Sequence, residues 1–343
     1  MADLREVFEM VKQQTEPDTD SWSEQERRLR RSGRNRKIGA FALAAALAVG
    51  AIVFVVNARN DKGALTPATE PVPVAPEPVV EGFAMYDLDT GALSGTGIVA
   101  DSPGVDVSSD GTKMAYADGA VVHVANIDGS NDQAFDRTDR AGDATAPRWS
   151  PDGTKLVYQS RTGSDIGNLY VLEVTTGQIE RITDLEPMKA GLWWMGPTFS
   201  ADGQTVYFTM ARGSSGPGDP QVWWDIWSVP ATGGEPTLDH RNAAAVDASP
   251  TGDAIAYIEA RSVDGEFTLG DLFVARPDGS DAQKVADPQA ESARWSPDGS
   301  QLAYDGGDGI YVMDVETGET QRYSDAVGWP EWIDEDTLMI ELG

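Results

Sequence analysis

The sequence contains no cysteine and only two histidines among its 343 residues. Without cysteine, the chain forms no disulfides, no thiolate metal sites and no cysteine nucleophile. Two histidines are too few for a His-rich metal site or an HExxH protease. The sequence also lacks a Gly-x-Ser-x-Gly elbow, a P-loop and a dinucleotide-binding fingerprint. We therefore predict a protein that is not an enzyme and that has no catalytic residues, no metal site and no cofactor.

Positive charge is scarce beyond the first sixty residues. Residues 63–343 contain 15 Lys and Arg residues against 47 Asp and Glu residues. Such a surface repels phosphate backbones, so we predict no nucleic-acid binding. Cationic partners or divalent ions suit this part of the chain better, and solubility in a salty exterior is the alternative explanation for its charge.

A ten-residue segment occurs twice with small changes, as WSPDGTKLVY from Trp149 and as WSPDGSQLAY from Trp295. In each copy Pro presets the first turn position, Asp bonds its own backbone and Gly closes the turn. The run that follows has the composition of a strand, so the segment predicts a hairpin. Further copies begin at Ser108, Ser200 and Ser249, and a degenerate one begins at Ile333.

A second hairpin follows each of the first five copies, and a sixth, with its turn at Thr90-Gly91, lies upstream of them all. The array therefore begins with two strands that lack inner partners and ends with two that lack outer partners. Joining the two ends gives six four-stranded blades with no free sheet edge at the junction. We expect an all-β, six-bladed β-propeller whose last blade is closed by both ends of the array.

The P-x-W-S-P-D-G pattern, followed by an apolar strand and a D-I-Y-V-like strand, resembles the WD40-like (PD40) repeats of the TolB-type six-bladed propeller family. The resemblance covers roughly residues 83–343 and implies the same propeller fold.

Residues 38–56 contain no charged side chain. As a helix, this segment would span about 28 Å, close to the thickness of the bilayer core. We predict a transmembrane helix; a cleavable signal sequence ending near Ala58 is the alternative. Basic residues crowd the N-terminal flank, which predicts a single-pass cell-membrane protein with its N-terminus in the cytoplasm and its propeller outside.

Two segments flank this predicted span. Residues 57–82 are Pro-rich and predict an extended linker. Residues 1–37 form the predicted cytoplasmic juxtamembrane segment, in which Leu4, Val7, Phe8 and Val11 share one helix face. That face could lie on the membrane or dock on a cytoplasmic partner, and both alternatives stay open.

Aligning the innermost strands on the turn serine reveals a column of polar residues two positions earlier. Because side chains alternate along a strand, this column should face the central channel while the next one packs between blades. The ring could bind a small charged ligand or an ion, or it could be an ion-pair network that binds nothing. Its members are Asp106, Arg148, Thr198, Asp247, Arg294 and Glu331.

Four tryptophans lie in loops that we expect on one face of the propeller: Trp193, Trp194, Trp223 and Trp224. Clustered aromatics suit recognition of a protein or glycan. The alternative is that they pack the long loops onto the blade.

The sequence as a whole predicts a membrane-anchored extracytoplasmic propeller that acts as a protein- or ligand-binding scaffold, with a protein partner on the propeller face. A second alternative is a transmembrane sensor of the anti-sigma type, whose cytoplasmic segment holds a regulatory partner. A propeller hydrolase or lyase is the third.

Overall fold

The computed structural model describes residues 82–342, except for several short segments. Those segments are residues 100–103, 137–141, 163–164, 186–187, 190–195, 213–222, 264–265, 287–289 and 326–327. The predicted cytoplasmic segment, transmembrane helix and nearly all of the linker lie outside the described residues. Within the described part of the chain, no helix has the length and apolar character needed to cross a bilayer.

The described residues form six antiparallel sheets, which we call blades I to VI. Before blade I come β1 (Gly82–Asp87) and β2 (Leu93–Gly95). Blade I contains β3 (Val105–Val107), β4 (Lys113–Asp118), β5 (Val121–Asn126) and β6 (Gln133–Asp136). Blade II contains β7 (Asp143–Trp149), β8 (Lys155–Thr162), β9 (Asp165–Glu173) and β10 (Gln178–Arg181), with β11 (Met188–Lys189) also paired to β9.

The next three blades repeat the same order. Blade III contains β12 (Thr198–Phe199), β13 (Thr205–Arg212), β14 (Trp223–Pro230) and β15 (Thr237–Arg241). Blade IV contains β16 (Ala243–Ala248), β17 (Ile255–Val263), β18 (Glu266–Ala275) and β19 (Gln283–Ala286). Blade V contains β20 (Ser292–Trp295), β21 (Gln301–Asp305), β22 (Ile310–Asp314) and β23 (Thr320–Ser324).

Blade VI joins the two ends of the array. Its strands β24 (Glu331–Asp334) and β25 (Thr337–Leu342) are followed, across the sheet, by β1 and β2. Strands β1 and β25 pair over their full length, from Gly82 opposite Leu342 to Asp87 opposite Thr337. The first strands of successive blades contact each other around the ring, and β24 contacts β3. The predicted six-bladed propeller with a composite last blade is therefore confirmed.

The repeated turn is held by its own serine and aspartate. In blade II, the Ser150 hydroxyl donates to Asp152 Oδ1 at 2.6 Å and accepts the Lys155 N–H at 2.9 Å. Gly153 closes the turn with φ of 67°, a left-handed conformation that favours glycine. Blades I, III and V repeat the Ser–Asp bond at 2.7, 2.6 and 2.8 Å. Because this motif fixes where these four inner hairpins turn, it also fixes the register of the inner strand that precedes each of them.

Apolar side chains pack between neighbouring blades. One cluster joins Val157 and Leu169 of blade II to Phe199 and Phe208 of blade III. Another joins Phe83 and Met339 of blade VI to residues of blade I. The hydrophobic core therefore lies in the interfaces between blades. The propeller axis is lined by polar side chains as well.

His123 occupies a repeat position that is aromatic elsewhere. Tyr158 stacks on Tyr170 across β8 and β9, with ring centroids 5.6 Å apart, and Tyr304 stacks on Tyr311 at 5.3 Å. In blade I the cross-strand partner of Tyr116 is His123, whose ring stacks at 4.9 Å. His123 therefore takes part in cross-strand packing.

Candidate binding cavity at the propeller axis

The six residues of the predicted ring come together at the propeller axis. Each lies on the first strand of a different blade, and each exposes at most 9 % of its surface. All six line one cavity with a volume of about 340 Å³. In order of blades I to VI they are Asp106, Arg148, Thr198, Asp247, Arg294 and Glu331. The structure thus places the six predicted positions around one cavity.

Two alanines help to place ring members. Ala146 and Ala245 have φ angles of 46° and 53°, a region that non-glycine residues seldom adopt. They lie two residues before Arg148 and Asp247, at β-bulges in β7 and β16. A bulge bends its strand and redirects the side chains that follow. Nothing in the sequence marks alanine for such a conformation, so the role of these two positions could not be predicted from the sequence.

Both arginines of the ring are bound to carboxylates. Arg148 Nη1 lies 2.8 Å from Asp106 Oδ1 and 2.6 Å from Glu331 Oε1. Arg294 Nε lies 2.5 Å from Glu331 Oε1, and its Nη1 donates to the Ala293 carbonyl at 2.8 Å. These four charged side chains form one buried network that connects blades I, II, V and VI. Four of the six ring residues therefore form the ion-pair network that was one of the two interpretations of the ring.

Asp247 lies outside that network. Its Oδ2 accepts the backbone N–H of Trp295 at 3.0 Å, and its Oδ1 accepts the Thr198 hydroxyl at 3.3 Å. Within the described part of the chain, Asp247 has no arginine or lysine within ion-pair distance. Its position leaves the blade III and blade IV side of the ring with a carboxylate and no direct counter-charge.

Burial is the largest influence on the carboxyl groups of the ring. It raises the pKa of Asp247 to about 6, although the charge of Arg148 and the Trp295 N–H act in the opposite direction. Burial likewise raises the pKa of Asp106 and that of Glu331. For Arg148, burial works to lower the pKa, but the charges of Glu331 and Asp106 outweigh it and raise the pKa above its usual value. The guanidinium therefore stays charged.

The cavity extends from the ring toward the repeated turns. The residue that follows each ring member contributes to an apolar wall of the cavity and also packs between blades: Val107, Trp149, Phe199, Ala248, Trp295 and Trp332. The mouth is formed by uncharged turn residues: Ser109, Pro151, Ala201, Pro250 and Pro297. Every lining residue is a ring member or follows one along the chain. The cavity is thus a funnel with a charged floor, an aromatic wall and a neutral rim.

Beyond the ring, on the side away from the turns, the blades approach closely. A Cβ on Gly196 of blade III would lie 2.6 Å from Ala146 Cβ of blade II. A side chain at this position would therefore force adjacent inner strands apart.

Of the four tryptophans predicted to form an aromatic face, the structure describes the side chain of one, Trp224. Trp224 is 2 % exposed and packs in the core with Ile258 and Leu272 of blade IV, so it is not an exposed recognition residue. Its packing agrees with the alternative explanation, in which the tryptophans pack against the blades. Trp193, Trp194 and the side chain of Trp223 lie outside what the structure describes.

Comparison with known sequences identifies the repeats. The TolB beta propeller domain family (PD40) matches residues 99–272. The Tol-Pal system protein TolB of Francisella tularensis subsp. mediasiatica (strain FSC147) is 34 % identical over 92 residues, which cover 27 % of this chain and 20 % of that protein. An uncharacterized peptidase of Bacillus subtilis (strain 168), YuxL, is 33 % identical over 70 residues, which cover 20 % of this chain and 10 % of that protein. The chain thus spans about a fifth or less of the length of these curated relatives.

Solved structures show the same fold. A TolB structure from Agrobacterium tumefaciens superposes with a TM-score of 0.57 at 18 % identity, over 76 % of this chain and 96 % of that one. TolB from Acinetobacter baumannii superposes with a TM-score of 0.54 at 16 % identity, over 74 % of this chain and 66 % of that one. Because the family match covers half of the sequence and the fold agrees, the chain belongs to the TolB β-propeller domain family.

Proposed function

We propose that the protein is a membrane-anchored propeller that acts as a non-catalytic binding scaffold outside the cell. The observation that carries this proposal is the funnel, to which all six blades contribute lining residues. A concave site with apolar walls and a few convergent polar groups is the usual form of a binding site. The membrane anchor rests on the uncharged run 38–56 and on the basic residues that precede it.

Two of the three carboxylates of the floor are not available as a general acid or base. A general acid or base must exchange protons with a substrate within hydrogen-bond reach. Asp106 and Glu331 are instead held by Arg148 and Arg294 at 2.5 to 2.8 Å. The names of the TolB relatives place them in the Tol-Pal system, which favours a protein as the bound partner.

A sensor role is the second candidate, and one sequence feature favours it. Leu4, Val7, Phe8 and Val11 have the spacing of one apolar helix face, and a helix as short as the one this spacing predicts is marginal alone in water. Such a helix needs a membrane surface or a protein partner. Binding at the propeller would then be communicated to a cytoplasmic regulator held by residues 1–37.

Site-specific photo-crosslinking in intact cells tests the scaffold proposal. A photoreactive phenylalanine analogue replaces Ser109 at the rim or, as a control, Gln321 on the exposed outer strand of blade V. We expect a defined crosslinked protein at position 109 and none at position 321. Equal crosslinking at both positions, or crosslinking at 321 alone, would contradict a binding site at the funnel.

A further inference from the structure

The charged floor of the funnel is unevenly compensated. It contains three carboxylates, Asp106, Asp247 and Glu331, and two guanidinium groups, Arg148 and Arg294. Both guanidinium groups are bound to Asp106 or Glu331. With all five groups ionised, one negative charge is left over, and the contacts place it at Asp247.

We propose that the funnel receives a lysine side chain of a protein partner, whose ammonium group binds between Asp247 and Thr198. This inference rests on the proposed scaffold function and specifies the chemical group that the scaffold recognises. Three features of the funnel favour a lysine: the free acceptor capacity of the floor, the apolar wall and the negative charge around the rim.

The floor can accept an ammonium group because of the residues at blades III and IV. A carboxylate oxygen can accept two hydrogen bonds, and Asp247 Oδ1 receives one bond, from Thr198 at 3.3 Å. Thr198 occupies the position that arginine fills in blades II and V. Because threonine is short and neutral, it leaves both the space and the counter-charge at this side of the ring to be supplied from outside.

The wall suits an aliphatic stem with a cationic end. Phe199 and Trp295 lie next to Thr198 and Arg294 in their strands, and both line the cavity. Apolar and aromatic surfaces bury the methylene stem of lysine, and aromatic faces attract its charge. Pro250 at the rim is three residues after Asp247, so the two residues lie at most about 10 Å apart. A lysine at the tip of a protruding turn can therefore bring its ammonium group to the floor.

The rim is surrounded by acidic residues that stay ionised. Asp110, Asp152 and Asp202 follow rim residues in their turns, and each accepts a hydrogen bond from the serine two residues earlier. That bond is the main cause that lowers the pKa of each of these aspartates. Such an anionic collar attracts a basic protein surface and repels an acidic one.

A metal ion fits this corner less well. The described residues contain no group of three or more side chains of His, Asp or Glu placed to hold a metal ion together. Hard divalent cations need several oxygen ligands, whereas the corner offers one carboxylate and one hydroxyl. A compact monovalent ammonium group needs only the carboxylate and a few acceptors.

The test uses the full chain, purified with detergent, and two acetylated and amidated pentapeptides, Gly-Gly-Lys-Gly-Gly and the same peptide with norleucine in place of lysine. Binding is followed by tryptophan fluorescence, because Trp149, Trp295 and Trp332 line the funnel. We expect the lysine peptide to bind at least tenfold more tightly than the norleucine peptide. Equal binding of the two peptides would overturn the proposal.

Three variants locate the effect. Asp247→Asn should weaken binding of the lysine peptide at least tenfold, and Thr198→Arg should abolish it by supplying an internal counter-charge. Glu316→Gln removes one exposed charge from the turn between β22 and β23 and should leave binding unchanged. If Asp247→Asn fails to fold, Thr198→Arg still decides the question. Undiminished binding to the Thr198→Arg variant would place the peptide elsewhere and refute the site.

Two further probes test whether the bound cation is a lysine of a protein, a small amine or a metal ion. Butylammonium chloride that binds as tightly as the lysine peptide would indicate a small amine and overturn the protein-partner assignment. Calcium chloride that displaces the lysine peptide at equal charge concentration would indicate a metal site and overturn the proposal. If rim crosslinking at position 109 succeeds while the lysine peptide does not bind, the scaffold function stands and the lysine inference fails.

Discussion

Arg148 of blade II reaches Glu331 of blade VI, with Nη1 and Oε1 2.6 Å apart, although blade I lies between them. The same Nη1 lies 2.8 Å from Asp106 of blade I. One buried guanidinium therefore connects three blades, among them the blade that joins the two ends of the array. Ion pairs at the axis thus add to the strand pairing that closes the ring.

Removing an arginine from this network should destabilise the propeller. In Arg294→Met, Glu331 loses the Nε contact at 2.5 Å while it remains buried. Breaking a buried ion pair usually costs about 3–5 kcal/mol, and here it leaves Arg148 as the single guanidinium shared by the buried Asp106 and Glu331. We expect the free energy of unfolding to fall by about 3 kcal/mol or more, as measured by denaturant unfolding monitored by circular dichroism.

A surface pair provides the matched control. Arg181 and Asp184 form an ion pair at 3.0 Å, and their side chains are 50 % and 88 % exposed. Exposed pairs contribute about 0–1 kcal/mol. Arg181→Met should therefore change the stability by less than about 1 kcal/mol. If Arg294→Met is as mild as this control, the arginines of the floor are held for a ligand and do not act as structural partners.

The sequence predicts the architecture well because its turns are local. In blades I, II, III and V, Ser, Asp and Gly fix the inner hairpin through contacts within six residues, so the ring positions follow by counting back from the serine. Partner choice within the ring is not local. Whether Arg148 pairs with Glu331 depends on the closure of the whole ring and on the bulge at Ala146. The burial of Trp224 likewise depends on its packing against a neighbouring blade, which no pattern in its own strand reveals.

Closure of the ring depends on residues 82–99. Strand β1 pairs with β25 over six residue positions, and Phe83 and Ala84 are buried against blades I and V. A chain that begins at residue 101 would leave the edge of β25 unpaired and would expose this apolar surface. We expect a chain beginning at residue 78 to melt cooperatively, and one beginning at residue 101 to aggregate or melt at a much lower temperature. Equal melting temperatures would be incompatible with ring closure through β1.

The proposed topology predicts a protease-sensitive linker. Protease added to intact cells, after removal of any cell wall, should cut within residues 57–82 and release the propeller. An epitope tag at the N-terminus should stay protected until detergent is added, because residues 1–37 would lie in the cytoplasm. Immunoblotting of both ends measures the result. Release of a propeller beginning at Arg59 without added protease would show instead that residues 38–56 are a cleaved signal.

The carboxylate of Asp247, which has no ion-pair partner among the described residues, should make the stability of the fold depend on pH in a definite direction. Burial raises the pKa of Asp247 from 3.8 to about 6, so the folded state binds this proton more tightly than the unfolded state. The stabilisation from protonation is complete below pH 3.8 and is lost as the pH rises through about 6. At neutral pH the ionised group therefore destabilises the fold, by about 2–3 kcal/mol at 1.4 kcal/mol per pKa unit.

Asp247→Asn removes this titration, and the quantity to measure is the difference in unfolding free energy between wild type and variant from pH 7.5 to pH 4.5. The difference is needed because turn aspartates such as Asp110 and Asp152 have lowered pKa values and act in the opposite direction. Wild type should gain about 2 kcal/mol relative to the variant as the pH falls across this range. Glu316→Gln removes an exposed charge, so the unfolding free energy of this variant should vary with pH in parallel with that of wild type. Parallel curves for wild type and Asp247→Asn would mean that Asp247 is already compensated in the folded protein, and the funnel would then have no free carboxylate for a cation to bind.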